Sequence, residues 1–564
     1  MSDISAKIRN YPNAFAKPSE VCKLLASYSI LQERNPEGIY PPKKNFPFQF
    51  GGISGVPIYY NTEEKRVYVD HTDKHTAVIG PTASKKSRLV AMPTVRLLGA
   101  AGESMIISDP KAEIYNRTAA YLKEIGYEIR VLNLRQPQYG VAWNPLSIPY
   151  QFFKAGDIDR AYEFANDIAV NLTNVDKSQK EAFWDNSAGS FLFGLILLLF
   201  LYCDTYNKPA EAVNIGNILN LRNAICAVNG IRPQNNPLWK FAKKDPFISS
   251  ALIGTIETAN DTRAGILSTF DQKMRAFSIQ PSLLNMLAFN NIDYTLLTDK
   301  PTAVYLLLPD EKTGYHGLVS LFVKQSYEFL IHQVQNKLNE KQDLGIRINY
   351  ILDEFSSLPT ISDFSAMITA ARSRNIRFNL FLQSKQQLRL RYGEDCDTIL
   401  SNCENWIFLT SRELEFLKEV SELCGVYGGS PPKPLLSISD LQRFDKSVGE
   451  ALLLSGRNKP MITRLVDIDS FDGGRPSPAT YDTAVAREAY MIDFQKAIQE
   501  LAAMERKSVL DTTSASKIEV LPENDFLPIV PSTIEKQVEI HPPTYPTPVQ
   551  QQKENKEEDT PNDK

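Results

Sequence analysis

The hydrophobic pattern changes character several times along the chain. VPIYY at 56–60 and RVYVD at 66–70 alternate apolar and polar positions around the turn NTEEK, which predicts a β-hairpin. From 76 to 134, short apolar runs take turns with segments of helical spacing: TAVIG, SRLVAMPTVRLLGA, SMIISDP, EIYNRTAAYLKEIG and YEIRVLNL. Strand, helix, strand, helix, strand with short connections predicts a parallel sheet covered by helices. From about Gln151 to Met286 the strand signal stops. Helical spacing takes over, with one helix over Phe183–Leu201 and others around 213–228 and 247–277. Alternation returns with TAVYLLLP at 302–309 and a helix from about Tyr315 to Leu338. INYILDEF at 348–355, FNLFLQS at 378–384 and NWIFLT at 405–410 read as further buried strands. The expectation is one α/β sheet domain interrupted by an all-α domain.

The expected boundaries follow these shifts. Residues 1–70 form an N-terminal segment with the hairpin, preceded by Pro41-Pro42 and the pair Gly51-Gly52. Residues 71–150 and 291–475 are the two parts of the sheet domain, and 151–290 the all-α domain. A helical segment follows at 476–507. Residues 508–564 end in HPPTYPTPVQQQKENKEEDTPNDK, rich in Pro, Gln and charge, with little to bury, so this tail is expected to be disordered.

Composition narrows the picture only modestly. Of 564 residues, 43% are hydrophobic and 23% charged, which suits a sizeable core and excludes a fibre or a wholly disordered chain. The net charge of −4 excludes a generally basic coat but not a local basic channel. The six cysteines form no C-x-x-C pair and read as reduced thiols. His71 and His75 share an i, i+4 spacing without a Cys or Glu in register, so no metal site is expected from them. The N-terminus lacks the apolar core of a signal peptide. FLFGLILLLFLY, from Phe191 to Tyr202, is shorter than the roughly 20 residues that span a bilayer and reads as a buried helix.

The candidate chemistry begins after the strand TAVIG. Gly80-Pro81-Thr82-Ala83-Ser84-Lys85-Lys86-Ser87 matches G-x-x-x-x-G-K-[ST] except that Lys85 stands where the second glycine belongs. Backbone N–H groups of such a loop, opening a helix, point at phosphate oxygens. Lys86 is then expected on the β/γ-phosphates and Ser87 on Mg²⁺. A Cβ at position 85 costs on the order of 1 kcal/mol if φ is positive there. The extra charge offsets part of that in binding, but it does not secure the geometry that hydrolysis needs.

The strand INYILDEF ends in Asp353-Glu354. In a P-loop NTPase the Asp holds Mg²⁺ and the Glu polarises the attacking water. Gln383, at the end of FNLFLQS, is placed to sense a γ-phosphate; the alternative for Gln383-Ser384 is a cap on the next helix. Arg372, Arg374 and Arg377 lie between these strands. They suit either a cation delivered to a neighbour's γ-phosphate or a basic helix end.

Together these residues resemble the type IV secretion coupling protein family, the TraG-like conjugation ATPases. Asp109-Pro110-Lys111-Ala112-Glu113 is similar to that family's D-P-K-G-E, with Ala112 for glycine. Trp143-Asn144-Pro145-Leu146 resembles its F-N-P-L, and Leu352 to Pro359 its L-D-E-F-x-x-L-G, with Pro359 for glycine. Gln383 to Leu388 resembles Q-S-x-x-Q-L, and Gly449-Glu450-Ala451-Leu452 the closing G-E-A-L strand. The similarity runs from about residue 70 to 470.

The resemblance implies a RecA-like nucleotide-binding domain carrying an all-α domain, with ATP and Mg²⁺ as cofactors. It implies a hexamer that moves DNA, single-stranded and relaxase-bound, or a protein substrate, to a secretion channel. Arg372 is implied as the residue acting in trans. The family's N-terminal membrane anchor has no counterpart in this sequence. The expectation is therefore a cytoplasmic protein, held at the inner face of the membrane by secretion components or a separate anchor. The sequence leaves a second reading beside the motor: a nucleotide-binding adaptor of weak or no ATPase activity that recruits cargo in a mobile-element or defence system.

Overall fold

Five apolar runs become strands buried on both faces: β4 (Thr76–Ile79), β5 (Ser104–Asp109), β7 (Thr302–Leu307), β8 (Ile348–Leu352) and β9 (Ile376–Leu382). Strands covered on both faces need no polar alternation, which is why these segments read as continuous hydrophobic runs. With β6 (Glu128–Asn133) and β10 (Asn405–Phe408) they make seven parallel strands in the order β10-β4-β9-β8-β5-β7-β6. Beyond β10 the sheet continues antiparallel through β13 (Glu450–Ser455) and β14 (Met461–Arg464). The expected hairpin is present as β2 (Val56–Asn61) and β3 (Arg66–Asp70). It is joined by β1 (Ala26–Ser29) in a small separate sheet. A two-residue ribbon pairs β11 (Val426–Tyr427) with β12 (Lys433–Pro434).

This computed structural model describes residues 7–8, 14–29, 54–173, 182–226, 232–309, 313–336, 343–428, 430–472 and 484–515. The proline pair at 41–42, the glycine pair at 51–52 and residues 516–564 of the tail lie outside them. Among the described residues, those up to Met504 form one compact unit.

Alternation along each strand divides the core in two. Ala77, Ile79 and Ile106 face a large cluster that includes Phe191, Leu195 and Phe322. Val78, Met105 and Ile107 face the other side, where Leu89, Val95 and Leu122 pack under the hairpin's Val56 and Ile58. Between β6 and β7 every regular element of the described chain is a helix, as the pattern predicts.

One helix runs slightly longer than its spacing predicts, and one sequence expectation needs correction. The helix expected over Phe183–Leu201 spans Ala182–Thr205, and the apolar run at 191–202 is its second half. Its first turns carry polar positions that still turn inward: Asp185 is buried and pairs with Lys273 at 3.0 Å. That helix is long and apolar enough to cross a membrane, but 72% of its most apolar window is buried inside the protein. At the other end, the helix Phe494–Ala515 continues past 508, the expected start of the disordered tail.

Register aligns the carboxyl ends of the central strands. Ile79 lies beside Leu382, Leu352 beside Leu380, and Ser108 beside Leu352. The segments that follow β4, β9, β8 and β5 therefore leave the sheet at one edge. In open α/β sheets this edge is where ligands bind.

Candidate active site

The loop after β4 is built tightly. Gly80 N–H donates to Leu382 O at 3.0 Å, which extends the β4–β9 ladder by one bond. A Cβ on Gly80 would lie 2.5 Å from Ser84 Oγ, so the loop closes onto this residue only because it is glycine. Ala83 and Lys85 both have positive φ, +65° and +66°. The backbone thus keeps the conformation expected at the second glycine, although a lysine occupies it. The Lys85 ammonium stands 3.8 Å from Asp467 Oδ2, and Lys446 donates to Ala83 O at 3.3 Å. The helix then starts with a wide turn over Ser87–Ala91, in which Met92 N–H bonds back to Ser87 O.

Lys86 is buried. Its ammonium donates to Gly80 O at 2.6 Å and to Pro81 O at 3.3 Å. Burial lowers its pKa, and Glu354 and Asp353 oppose that shift. Ser87 Oγ lies 3.4 Å from Asp353 Oδ2. Adjacent ligands of an octahedral Mg²⁺ with bonds of about 2.1 Å sit roughly 3 Å apart, so this oxygen pair fits that ion. Burial, reinforced by Glu354, pushes the Asp353 carboxyl up to about 6. A carboxyl so placed gains a favourable partner when a cation arrives. Ser108 Oγ fixes the strand end by donating to Asp353 O at 3.0 Å. Among the described residues no cluster of three or more His, Cys, Asp or Glu offers an all-protein metal cage.

Glu354 takes a left-handed φ of +55°, which turns it off the strand direction. Its carboxylate accepts the Gln383 side-chain N–H. Gln383 Oε1 in turn accepts from Thr82 Oγ1 at 3.3 Å, so this one amide ties the phosphate loop to Glu354. Ser384 makes the alternative contact foreseen for this pair: it caps Lys385–Tyr392 by accepting from Gln387 N–H at 3.1 Å. The capping alternative is thus realised by Ser384, while Gln383 lies between the loop and Glu354.

The structure brings Lys86, Ser87, Asp353, Glu354 and Gln383 together, and it does not bring Arg372 to them. Arg372 sits before β9, at the opposite edge of the sheet. The seven residues of that strand, at about 3.3 Å each, separate it from Gln383 by roughly 23 Å. Its guanidinium pairs with Asp73 at 3.2 Å and with Glu404. Arg377 is fully buried, bound to Glu103 at 2.5 Å and to Asn349 Oδ1 at 2.8 Å, which gives it a structural role. His75 is structural too: Nε2 meets Ile368 O at 2.8 Å and Nδ1 accepts the Phe378 N–H at 3.0 Å.

Sequence reasoning gave no site role to Asp109, although it lies at the same edge. Burial pushes its carboxyl up to about 7 despite the N–H bond from Tyr115 at 2.8 Å. The available signal was an acid-proline-lysine turn directly after a short apolar run, Met105–Ile107.

A sequence model described as type IV secretory system conjugative DNA transfer matches residues 23–429. The fold is similar to that of the bacterial conjugative coupling protein TrwBdeltaN70 in an unbound form. The identity is 13%, the TM-score 0.52, and the match covers 72% of this chain and 88% of that one. Plasmid coupling protein TrwB in complex with the non-hydrolysable ATP analogue ADPNP matches at 13% identity and TM-score 0.50, covering 70% and 86%. TrwB with ADP and Mg²⁺ matches at 14% and 0.50, covering 70% and 85%. At these identities the likeness is one of fold. No curated protein matches the chain by sequence.

Proposed function

This chain belongs to the type IV secretory system conjugative DNA transfer family, and on that premise we propose that it is a coupling ATPase that drives DNA toward a secretion channel. The observation that carries the reading is the meeting of Lys86, Ser87, Asp353, Glu354 and Gln383 at one sheet edge. The nucleotides bound by TrwB support ATP with Mg²⁺ as the pair this edge takes.

Ser87 and Asp353 would hold Mg²⁺, which would supply charge neutralisation at the phosphates. Lys86 exchanges the carbonyls of Gly80 and Pro81 for phosphate oxygens. Glu354 orients the attacking water and takes its proton. Gln383 holds one oxygen of that carboxylate, and a turn of Glu354 toward the water would free the amide to meet the γ-phosphate. Exchange of this one contact couples nucleotide state to the loop that carries Thr82.

Arg372 is remote from its own Glu354, and in this reading it leaves Asp73 and Glu404 to act on the γ-phosphate of a neighbouring subunit. Its side chain is about a third exposed between Asp73 and Glu404, which supports a surface role. The reading accordingly includes a hexameric ring with nucleotide between subunits. The cargo is single-stranded DNA with a bound relaxase, or a secreted protein. The protein works in the cytoplasm at the inner face of the membrane, held by secretion components or a separate anchor.

ATP-driven displacement of streptavidin from biotinylated DNA tests this. Wild type displaces the block with ATP and not with ADPNP. Arg372→Ala and Glu354→Gln subunits each fail alone, and mixtures recover part of the activity because some interfaces regain a full set. Displacement that needs no ATP, or no recovery at any mixing ratio, contradicts the motor or its trans arginine respectively.

Lys85→Gly gives a second check. The left-handed backbone at Lys85 costs a residue with a Cβ on the order of 1 kcal/mol, which glycine avoids. The same change removes a cation near the phosphates and its contact with Asp467. Turnover at saturating ATP is expected to rise, with a modest loss of affinity, because hydrolysis depends on close placement of the γ-phosphate. A fall in turnover at saturation would show Lys85 to be a working part of the site.

A further inference from the structure

The turn after β5 carries a lysine that the mechanism above leaves unused. Ser108 pairs in register with Leu352, so Asp109 stands level with Asp353 and the turn leaves the sheet beside Asp353-Glu354. Three features hold this turn. Asp109 accepts the Tyr115 N–H at 2.8 Å, Ala112 N–H donates to Asp109 O at 3.3 Å, and Ala112 takes a left-handed φ of +57°. A residue with a Cβ in that conformation costs on the order of 1 kcal/mol, so the surrounding contacts keep the turn in one shape. The turn presents Lys111, which is exposed and makes no hydrogen bond or ion pair among the described residues. Its charge nonetheless acts on both Lys86 and Asp353, so it stands within electrostatic reach of both sides of the metal and phosphate position.

We propose that Lys111 is a second phosphate-contacting cation of this site, meeting the γ-phosphate from the Asp353 side, opposite Lys86. The proposal rests on the ATP reading above. Lys86 and Lys111 repel each other, and Arg372 of the same subunit is too far away to share the load. A polyanion set between them relieves the repulsion and gives each ammonium an oxygen. Lys86, rooted in the phosphate loop, contacts both diphosphate and triphosphate. Lys111, arriving from the carboxylate side, contacts only the terminal phosphate.

The test compares ADPNP and ADP binding, each with Mg²⁺, in full-length wild type, Lys111→Gln, Lys111→Arg and Lys86→Ala. Lys111→Gln is expected to weaken ADPNP about tenfold or more, as loss of one charge-assisted contact does, and to leave ADP unchanged. Its ATP turnover should fall on the order of 10²-fold, as for loss of one transition-state donor. Lys111→Arg should restore part of the discrimination between the two nucleotides. Equal losses for both nucleotides, or no loss for either, would overturn the assignment. A purely structural turn lysine gives one of those two results. If wild type binds neither nucleotide, or Lys86→Ala binds both as wild type does, the ATP reading itself has failed, and the Lys111 assignment falls with it.

Discussion

Glu354→Gln stops ATP hydrolysis and leaves Mg-ATP bound. The expected loss of turnover is about 10²- to 10⁴-fold, the range for removal of a group that takes a proton in the transition state. The substitution keeps the shape of the side chain and its left-handed backbone position. An amide at 354 still meets the Gln383 amide, so the link from Thr82 through Gln383 survives. Asp353 loses the neighbouring charge that helps push its carboxyl up, and it keeps its place beside Ser87. Binding is therefore preserved while proton acceptance is lost. Phosphate release, paired with titration of a fluorescent ATP analogue, separates the two. Affinity falling in step with turnover would mean that Glu354 belongs to binding rather than to chemistry.

Lys86→Ala has the complementary result: nucleotide affinity falls on the order of 10²-fold or more. Truncating one member of a buried, hydrogen-bonded charge set costs about 2–5 kcal/mol. The ammonium is the buried cation nearest the loop, 2.6 Å from Gly80 O. Alanine also leaves Asp353 and Glu354 without the cation that opposes their mutual repulsion. The loop then lacks the buried ammonium that would hold the β/γ oxygens. Equilibrium titration with ATP and with ADP measures the loss. Unchanged affinity for both would remove Gly80–Ser87 as the phosphate site.

The chemistry of this molecule was more legible than its spatial order. Strands buried on both faces announce themselves as continuous apolar runs, and β4, β5, β7, β8 and β9 lie where those runs predict. Nothing in periodicity says that β9 lies between β4 and β8, yet that order puts Gln383 between the phosphate loop and Glu354. The helix over Phe183–Leu201 was legible from its spacing, and the structure extends it to Ala182–Thr205. The pairing of Asp185 with Lys273 was not legible, because nothing in the spacing brings the two together. Lys85 was legible as a backbone problem, since a glycine position in a phosphate loop demands positive φ. Its contact with Asp467 was not, because the partner comes from far later in the chain. Arg372 was chosen by resemblance, and its separation from Gln383 depends on strand direction, which only the assembled sheet supplies. Lys111 was visible as part of a motif, but its role depends on β5 lying next to β8.

The central claim is that a phosphate loop with a lysine at its second glycine position still turns over ATP, and does so for DNA. Steady-state phosphate release by the full-length wild-type chain, at saturating Mg-ATP and increasing DNA, tests it directly. The account predicts measurable turnover that rises with DNA and is lost in Glu354→Gln. Nucleotide binding at Gly80–Ser87 without turnover, at any DNA concentration, would contradict it and leave a nucleotide-binding adaptor in place of a motor.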